Sequence, residues 1–251
     1  MSYVKNGIVQ SLASGITMEV RESRRERLAQ NPNSLKRAAV LLVHDVVVRY
    51  PRVSARALGL DYQPSSLAFV GAGDQSTVFR SSETEVTKVN NRSVLWSPAV
   101  RAAEAERARA AHLAMAEHLC DFVLPQTIFI GEHPFFSHSH AIQITQPYQE
   151  IIDPQLFEGG SRQDVKRRLL AMRDDYPAAT TSLGNFVDGS RRLYDEHRLL
   201  PDTIGHKNVV IADDDSLLII DGQPISTSLP KEQNLIRDQL NQIESLLAEV
   251  A

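Results

Sequence analysis

Two glycines, Gly71 and Gly73, lie between two short runs rich in apolar, aromatic and β-branched residues, residues 67–70 and 76–80. Runs of this composition are typical of strands, and glycine allows the backbone between them to turn tightly and offer its N–H groups. Because a strand and not a helix follows the turn, the pattern excludes a dinucleotide-binding βαβ unit and a Walker-type phosphate loop. The sequence therefore predicts an antiparallel hairpin, either a plain turn or one that binds phosphate.

The segments around this turn predict a first half built on strands and a second half built mainly on helices. A third strand is predicted over residues 85–89, followed by a helix over residues 97–119 with a proline in its first turn. Two more strands, residues 126–130 and 141–146, are joined by a predicted loop. Further helices are predicted over residues 162–173, 181–198 and 231–250, and strands over residues 209–211 and 217–220.

The N-terminal part of the chain differs from the rest in its charge. Residues 1–60 contain ten Lys or Arg and four acidic residues, whereas the remainder contains 17 basic and 27 acidic residues. Helices are predicted from Ser34 to Tyr50 and over residues 54–58. We expect residues 1–62 to form a basic helical extension that docks on the acidic body, or that binds an acidic protein partner. Nucleic acid is not expected, because the longer helix is apolar and lacks the polar face of a DNA-reading helix.

Composition excludes two further classes of protein. With 42% hydrophobic and 23% charged residues, the 251-residue chain is typical of a globular protein that buries a core. No apolar run approaches the roughly 20 residues of a membrane helix, and no signal peptide is recognisable, so a soluble cytoplasmic protein is expected. The single cysteine, Cys120, excludes an internal disulfide framework, and its apolar neighbours predict a buried thiol.

Three residues outside the glycine turn could carry chemistry. Lys88 stands ten residues after Val78 on a predicted strand, where it is either a solvent-facing lysine or a phosphate ligand. Asn208 and Asp221 stand 13 residues apart across a predicted hairpin, and Mg²⁺ prefers such amide and carboxylate oxygens. Asp221 follows an apolar strand, where an unpartnered carboxylate is costly, although an Asp-Gly turn is the structural alternative.

Two other clusters are interpreted as surface turns without a functional role. His133, His138 and His140 lie in the predicted connection between two strands, with no cysteine nearby. The run 213–215, three consecutive aspartates, lacks the glycine and the distal glutamate of a calcium loop.

The order of glycine turn, lysine, asparagine and aspartate over residues 67–250 resembles the protein kinase-like superfamily, and within it the aminoglycoside and choline phosphotransferase branch. The resemblance implies a two-lobed α+β fold, with an antiparallel-sheet N-lobe over residues 63–148 and a short helical C-lobe over residues 149–251. It implies ATP and Mg²⁺ as cofactors, with Asn208 and Asp221 as metal ligands. It places the following residues at the nucleotide: Gly71, Ala72, Gly73, Asp74, Gln75, Ser76, Val78, Lys88, Glu104 (or in its place Glu106), Gln146 and Tyr148.

The catalytic loop departs from the pattern of that superfamily. The family's catalytic aspartate precedes the asparagine by five positions, where this chain has Thr203, while Asp202 precedes Asn208 by six. A loop one residue longer would still bring Asp202 to a substrate hydroxyl, with His206 and Lys207 near the phosphate. No activation segment follows Asp221, so a protein substrate is not expected. The sequence thus predicts a phosphotransferase acting on a small hydroxylated molecule or, alternatively, a pseudokinase that binds nucleotide or acts as a scaffold without turnover.

Overall fold

The predicted hairpin around Gly71 is present in a computed structural model of the protein, which describes residues 44–72, 76–152, 154–157, 161–204, 208–220, 223–226 and 229–250. The strands are β1 (Asp61–Tyr62), β2 (Ala68–Ala72), β3 (Ser76–Arg80), β4 (Glu85–Asn90), β5 (Thr127–His133), β6 (Phe136–Pro147), β7 (Ile151–Ile152), β8 (Val209–Ala212) and β9 (Leu217–Ile219). The helices are α1 (His44–Arg49), α2 (Pro51–Leu58), α3 (Pro98–His118), α4 (Arg162–Asp175), α5 (Pro177–His197) and α6 (Pro230–Val250). The part of the N-terminal extension before residue 44, with Ser34 as its predicted N-cap, lies outside the described residues.

The chain divides into two units, which we call the sheet unit and the helical unit. The sheet unit holds the chain up to Ala105 together with Thr127–Gln146, and the helical unit holds Glu106–Gln126 and the chain from Pro147 onward. From β2 onward the sheet unit follows the predicted order of three strands, one helix and two strands, and the two-residue strand β1 was not predicted. The predicted α+β fold class, with an antiparallel sheet first and a mainly helical part after it, is confirmed.

Six antiparallel strands form the sheet unit, in the order β1-β6-β4-β3-β2, with β5 paired to β6. The loop predicted between the last two strands is wrong, because β5 and β6 stay paired as far as His133 and Phe136. Only Pro134 and Phe135 separate the two strands. Polar serines and histidines occupy this part of β6, so its composition is that of a loop, although Phe136, Ser139 and Ala141 are buried.

Helices α1 and α2 supply apolar side chains to one face of this sheet. Val47 of α1 and Leu58 of α2 are fully buried against sheet residues that include Phe79 and Val89. Helix α2 ends at Gly59, whose positive φ of 65° is the left-handed conformation that glycine adopts without strain. The apolar residues of α1 and α2 therefore form part of the core of the sheet unit.

A series of hydrogen-bonded polar side chains is buried in the core of the sheet unit. The Nδ1 atom of His133 accepts a hydrogen bond from the Phe135 N–H at 3.2 Å, so the ring proton is on Nε2, which donates to Asn91 Oδ1 at 3.1 Å. The Asn91 amide donates in turn to the Thr77 hydroxyl at 2.7 Å. The ring of His133 stacks on Phe136, and burial lowers the pKa of His133 to about 3. His133 is thus a neutral core residue, and its assignment to a surface turn is wrong.

The helical unit combines α4, α5, α6 and the end of α3 with a small antiparallel sheet in the order β7-β8-β9. Its core is lined by residues such as Leu169, Phe186 and Leu240. The aspartate run forms the turn between β8 and β9, as predicted. Asp215 of this turn, at a φ of 63°, accepts a hydrogen bond from the Ala178 N–H in the first turn of α5 at 3.0 Å. The hairpin turn therefore caps a helix distant in sequence.

The end of α3 packs closely against the middle of α5. A Cβ atom on Gly189 would lie 2.4 Å from the backbone oxygen of His118 and 2.7 Å from Leu119 Cδ2, so only glycine fits this approach. The adjacent Cys120 is exposed, and the predicted burial of its thiol is wrong. Leu119 and Phe122 occupy the core positions of this segment instead. Within the described ranges, no helix is both long and apolar enough to cross a membrane.

Candidate functional site

The pairing of three strands places Gly71 and the predicted phosphate lysine in one row. Gly71 of β2 is paired with Val78 of β3, and Val78 is paired with Lys88 of β4. Directly paired residues of antiparallel strands project to the same face of a sheet, so Val78 and Lys88 share one face. A register shift between Phe69 and Gly71 marks a bulge just before the turn. A Cβ added at Gly71 would meet no atom of the described residues within 4 Å, so these residues leave the space beside this backbone open.

Lys88 is not the solvent-facing lysine that its sequence context also allowed. Its side chain is only 9% exposed, and it has interaction partners within the protein. The preceding residue, Thr87, projects to the opposite face, where its hydroxyl bonds that of Thr145 on β6 at 3.1 Å. By the same alternation Gln146, which is 3% exposed, lies on the Lys88 face. One face of the sheet thus carries Val78, Lys88 and Gln146.

The two candidate glutamates on α3 differ in their environment. Glu106 is exposed and forms an ion pair with Arg109 of the same helix, which is the arrangement of a solvated helix face. Glu104 is half-buried and has interaction partners of its own. Glu104 is therefore less exposed than Glu106 and is the better candidate of the two. Tyr148, just after β6, is half-buried and also has interaction partners.

A single residue, Ile204, holds both of the polar side chains predicted for the catalytic loop. The carboxylate Oδ1 of Asp202 accepts a hydrogen bond from the Ile204 N–H at 2.9 Å. The side-chain amide of Asn208 donates to the Ile204 carbonyl oxygen at 2.6 Å. Asp202 and Asn208 are both half-buried. The two side chains are therefore oriented by opposite ends of one residue's backbone, at the two ends of the loop.

Thr203, at the position where the kinase-like pattern has its aspartate, points into the core of the helical unit. It is fully buried, and its hydroxyl donates to Gln239 Oε1 of α6 at 2.8 Å. The Gln239 amide donates in turn to the Phe157 carbonyl oxygen at 2.6 Å. Thr203 thus anchors the loop to α6, while its neighbour Asp202 keeps contact with solvent.

The hairpin of β8 and β9 defines the position of Asn208 relative to the strand that leads to Asp221. Val209 is paired with Ile219, and the Ile220 N–H donates to the Asn208 carbonyl oxygen at 2.9 Å. Asp221 itself lies outside the described residues, and so do the following candidates: Gly73, Asp74, Gln75, His206 and Lys207. Of Ala72 the backbone is described, as the last residue of β2, and Ser76 is the first residue of β3.

Sequence reasoning did not find Ile204, because it acts through its backbone N–H and carbonyl and any residue type could supply these groups. The buried role of Thr203 was also missed. Its hydroxyl is matched by Gln239, which is 36 residues away in the chain, so no local pattern could reveal the pair.

Comparison with known proteins gives little further information. No family model matches the chain, and no curated protein matches it. Among solved structures, the MAP kinase LmaMPK10 from Leishmania major is similar to this chain with a TM-score of 0.34 and 14% sequence identity. The similarity covers 71% of this chain, which spans 51% of the length of that kinase. A similarity at this TM-score assigns no residues of this chain.

Proposed function

We propose that the protein is an ATP-dependent phosphotransferase of the kinase-like superfamily, from the aminoglycoside and choline phosphotransferase-like branch, which acts on a small hydroxylated molecule. The observation that carries the proposal is the pair of hydrogen bonds to Ile204, which orients Asp202 and Asn208 together. The bond to Asp202 is an Asx turn of the kind that Asp214 also makes, so its weight here comes from the second bond, which orients Asn208 from the same residue.

The sheet unit supplies the nucleotide site in this proposal. The space that the described residues leave beside Gly71 lets phosphates approach the backbone of β2. Lys88, a cation held in a largely buried position, pairs with the phosphates, while Glu104 positions the lysine. Val78 and Gln146, on the Lys88 face of the sheet, line the remainder of the site in this unit. ATP, when bound, supplies the phosphoryl group that is transferred.

Asn208 and Asp221 would hold Mg²⁺. The donor set fits a hard cation. The side-chain nitrogen of Asn208 donates a hydrogen bond to Ile204, which leaves the side-chain oxygen of Asn208 as the atom that would bind the ion. The carboxylate of Asp221 would complete the pair of oxygen ligands. When bound, the ion neutralises charge on the phosphates.

Asp202 accepts the proton of the acceptor hydroxyl in this proposal. Its orientation by the Ile204 N–H positions the carboxylate before the acceptor binds, and positioned general bases contribute about 10²- to 10⁴-fold to rates. Thr203 cannot take this role, because its hydroxyl is buried and donates to Gln239. Helix α6 begins at Pro230, nine residues after Asp221, and packs into the core, so this connection has no room for a long activation segment. A small acceptor is consistent with that short connection.

A pseudokinase is the second candidate, and the burial of Thr203 at the usual aspartate position favours it. The enzyme and a nucleotide-binding pseudokinase both predict that ATP with Mg²⁺ raises the melting temperature, and absence of a shift would refute both and leave only a scaffold that binds no nucleotide. Turnover separates them. If the protein is an enzyme, wild type should transfer phosphate from ATP to at least one member of a panel of sugars, aminocyclitols and amino alcohols. Mass spectrometry of the products detects the phosphorylated acceptor.

The decisive variant is Asp202→Asn, which keeps a side-chain oxygen for the Ile204 N–H and should therefore preserve the loop. We expect at least about a hundredfold loss of transfer, with the ATP-induced shift in melting temperature retained. Asp195→Asn, which removes an exposed carboxylate from α5, is the matched control and should keep full activity. Equal activity of Asp202→Asn and wild type would remove Asp202 from the mechanism. A nucleotide-induced shift without transfer to any acceptor would establish the pseudokinase.

A cytoplasmic location and a protein partner for the basic residues 1–60 belong to the same proposal, and the charge difference between the two parts of the chain supports the second. The division into an extension over residues 1–62 and two lobes remains a prediction.

A further inference from the structure

Three ligand-type side chains meet where two helices of the helical unit end. Glu117 and His118 are the last two residues of α3, and His197 is the last residue of α5. One ligand atom from each of the three lies within 4.8 Å of the other two. The sequence pattern did not single out this group, because 79 residues separate its two histidines.

The ring nitrogen Nε2 of His118 is buried without a hydrogen-bond partner. Its side chain is 7% exposed, and its Nε2 atom is buried and makes no hydrogen bond. The nearest carboxylate oxygen, Glu196 Oε2, is 3.6 Å away, beyond hydrogen-bond distance. A buried polar atom without a partner is costly, and imidazole nitrogen is among the commonest metal ligands in proteins. Coordination of a cation would satisfy this nitrogen.

The backbone around the cluster holds it in place and favours positive charge. The contact of Gly189 with the His118 carbonyl brings α5 against the end of α3, so the two histidines approach through tightly packed helices. Their rings are 5.3 Å apart between centroids. The C-terminal ends of both helices carry partial negative charge, and Glu117 and Glu196 add two carboxylates. The electrostatic environment therefore favours a cation.

We propose that Glu117, His118 and His197 bind a divalent transition-metal ion of the zinc class. Two imidazoles and a carboxylate are a ligand set that zinc accepts, whereas magnesium prefers oxygen ligands alone. Glu117 and His197 are exposed and can rotate to close the cluster around an ion, while His118 is fixed by burial. The ion would join the ends of α3 and α5. The site shares no ligand with the proposed Mg²⁺ site at Asn208 and does not depend on the proposed function.

The test is titration of the full chain, without a histidine tag and after treatment with a chelator, with Zn²⁺ alone. Calorimetry should show one site, and Zn²⁺ at a hundredfold excess over its Kd should raise the melting temperature by about 5–10 °C. Mg²⁺ should not compete at equal concentration. Co²⁺, used as a spectroscopic probe, should develop the intense visible absorption of a tetrahedral nitrogen and oxygen site.

The His197→Ala variant should bind Zn²⁺ at least about tenfold more weakly and lose the Co²⁺ absorption, because one ligand is removed. His197 is exposed, so the chelator-treated variant should melt at the wild-type temperature. His140→Ala, which removes an exposed histidine from β6, is the matched control and should bind as wild type does. Absence of Zn²⁺ binding, equal affinity of His197→Ala and wild type, or an equal loss in His140→Ala would each overturn the proposal.

Discussion

Replacement of the two glycines of α5 by alanine tests the packing of the helical unit most directly, because the helix provides its own control. Gly184 is exposed, and a Cβ there would meet no atom within 4 Å. Gly189 is buried, and a Cβ there would lie 2.4 Å from the backbone oxygen of His118. Both substitutions gain the same helix propensity, about 1 kcal/mol, so their difference measures the contact alone.

The loss of stability in Gly189→Ala depends on which atoms can move away from the added methyl group. The atom closest to the added methyl group belongs to the backbone at the end of α3 and cannot rotate away, so the two helices must separate. Overpacking of this kind typically costs about 1–3 kcal/mol, more when the backbone has to shift. We therefore expect Gly184→Ala to stabilise the protein by up to about 1 kcal/mol and Gly189→Ala to destabilise it by about 1–2 kcal/mol net.

Urea unfolding followed by far-ultraviolet circular dichroism measures both free energies, since the helical unit carries most of the helix. The melting temperatures should move in opposite directions, by about 2–4 °C for each kcal/mol in a chain of this size. If Gly189→Ala proved as stable as Gly184→Ala, α3 and α5 would not approach as closely as described. The same result would remove one support of the proposed metal site.

Two further predictions concern buried polar groups. The pKa of His133 is lowered by burial to about 3 in the folded protein, below its usual 6.5, so stability from the neutral ring is complete above pH 6.5 and is lost as the pH falls from 6.5 towards 3. Between pH 6.5 and pH 3, the free energy of unfolding measured in urea should fall by up to about 1.4 kcal/mol per pH unit more for wild type than for His133→Gln. An equal dependence of this free energy on pH in the two proteins would contradict the burial of His133. Thr203→Asp places an aspartate five positions before Asn208, but in a fully buried site, so we expect the free energy of unfolding to fall by on the order of 3 kcal/mol, with no gain in transfer. A stable and more active Thr203→Asp protein would instead place residue 203, not residue 202, at the acceptor.

Most of the secondary structure could be predicted from the sequence, because it depends on local signals. Strand composition around the glycine turn, the proline near the start of α3 and the helical spacing of apolar residues in α6 are each contained in one segment. The order of the candidate ligands could be predicted for the same reason. The hairpin of β5 and β6 was missed at its tip because its serines and histidines have the composition of a loop, although pairing with a neighbouring strand satisfies their backbone.

The amino-acid sequence alone determined the α+β class, the turn around Gly71 and the candidate residues Lys88, Asp202 and Asn208. Only the tertiary structure decided that Lys88 is buried, that Cys120 is exposed and that Thr203 points to α6 while Asp202 remains half-exposed. The physical reason is the range of the interactions involved. Backbone conformation follows from neighbours along the chain, whereas burial and hydrogen bonding depend on partners such as Gln239 that are distant in the sequence and reach the site only when the chain folds.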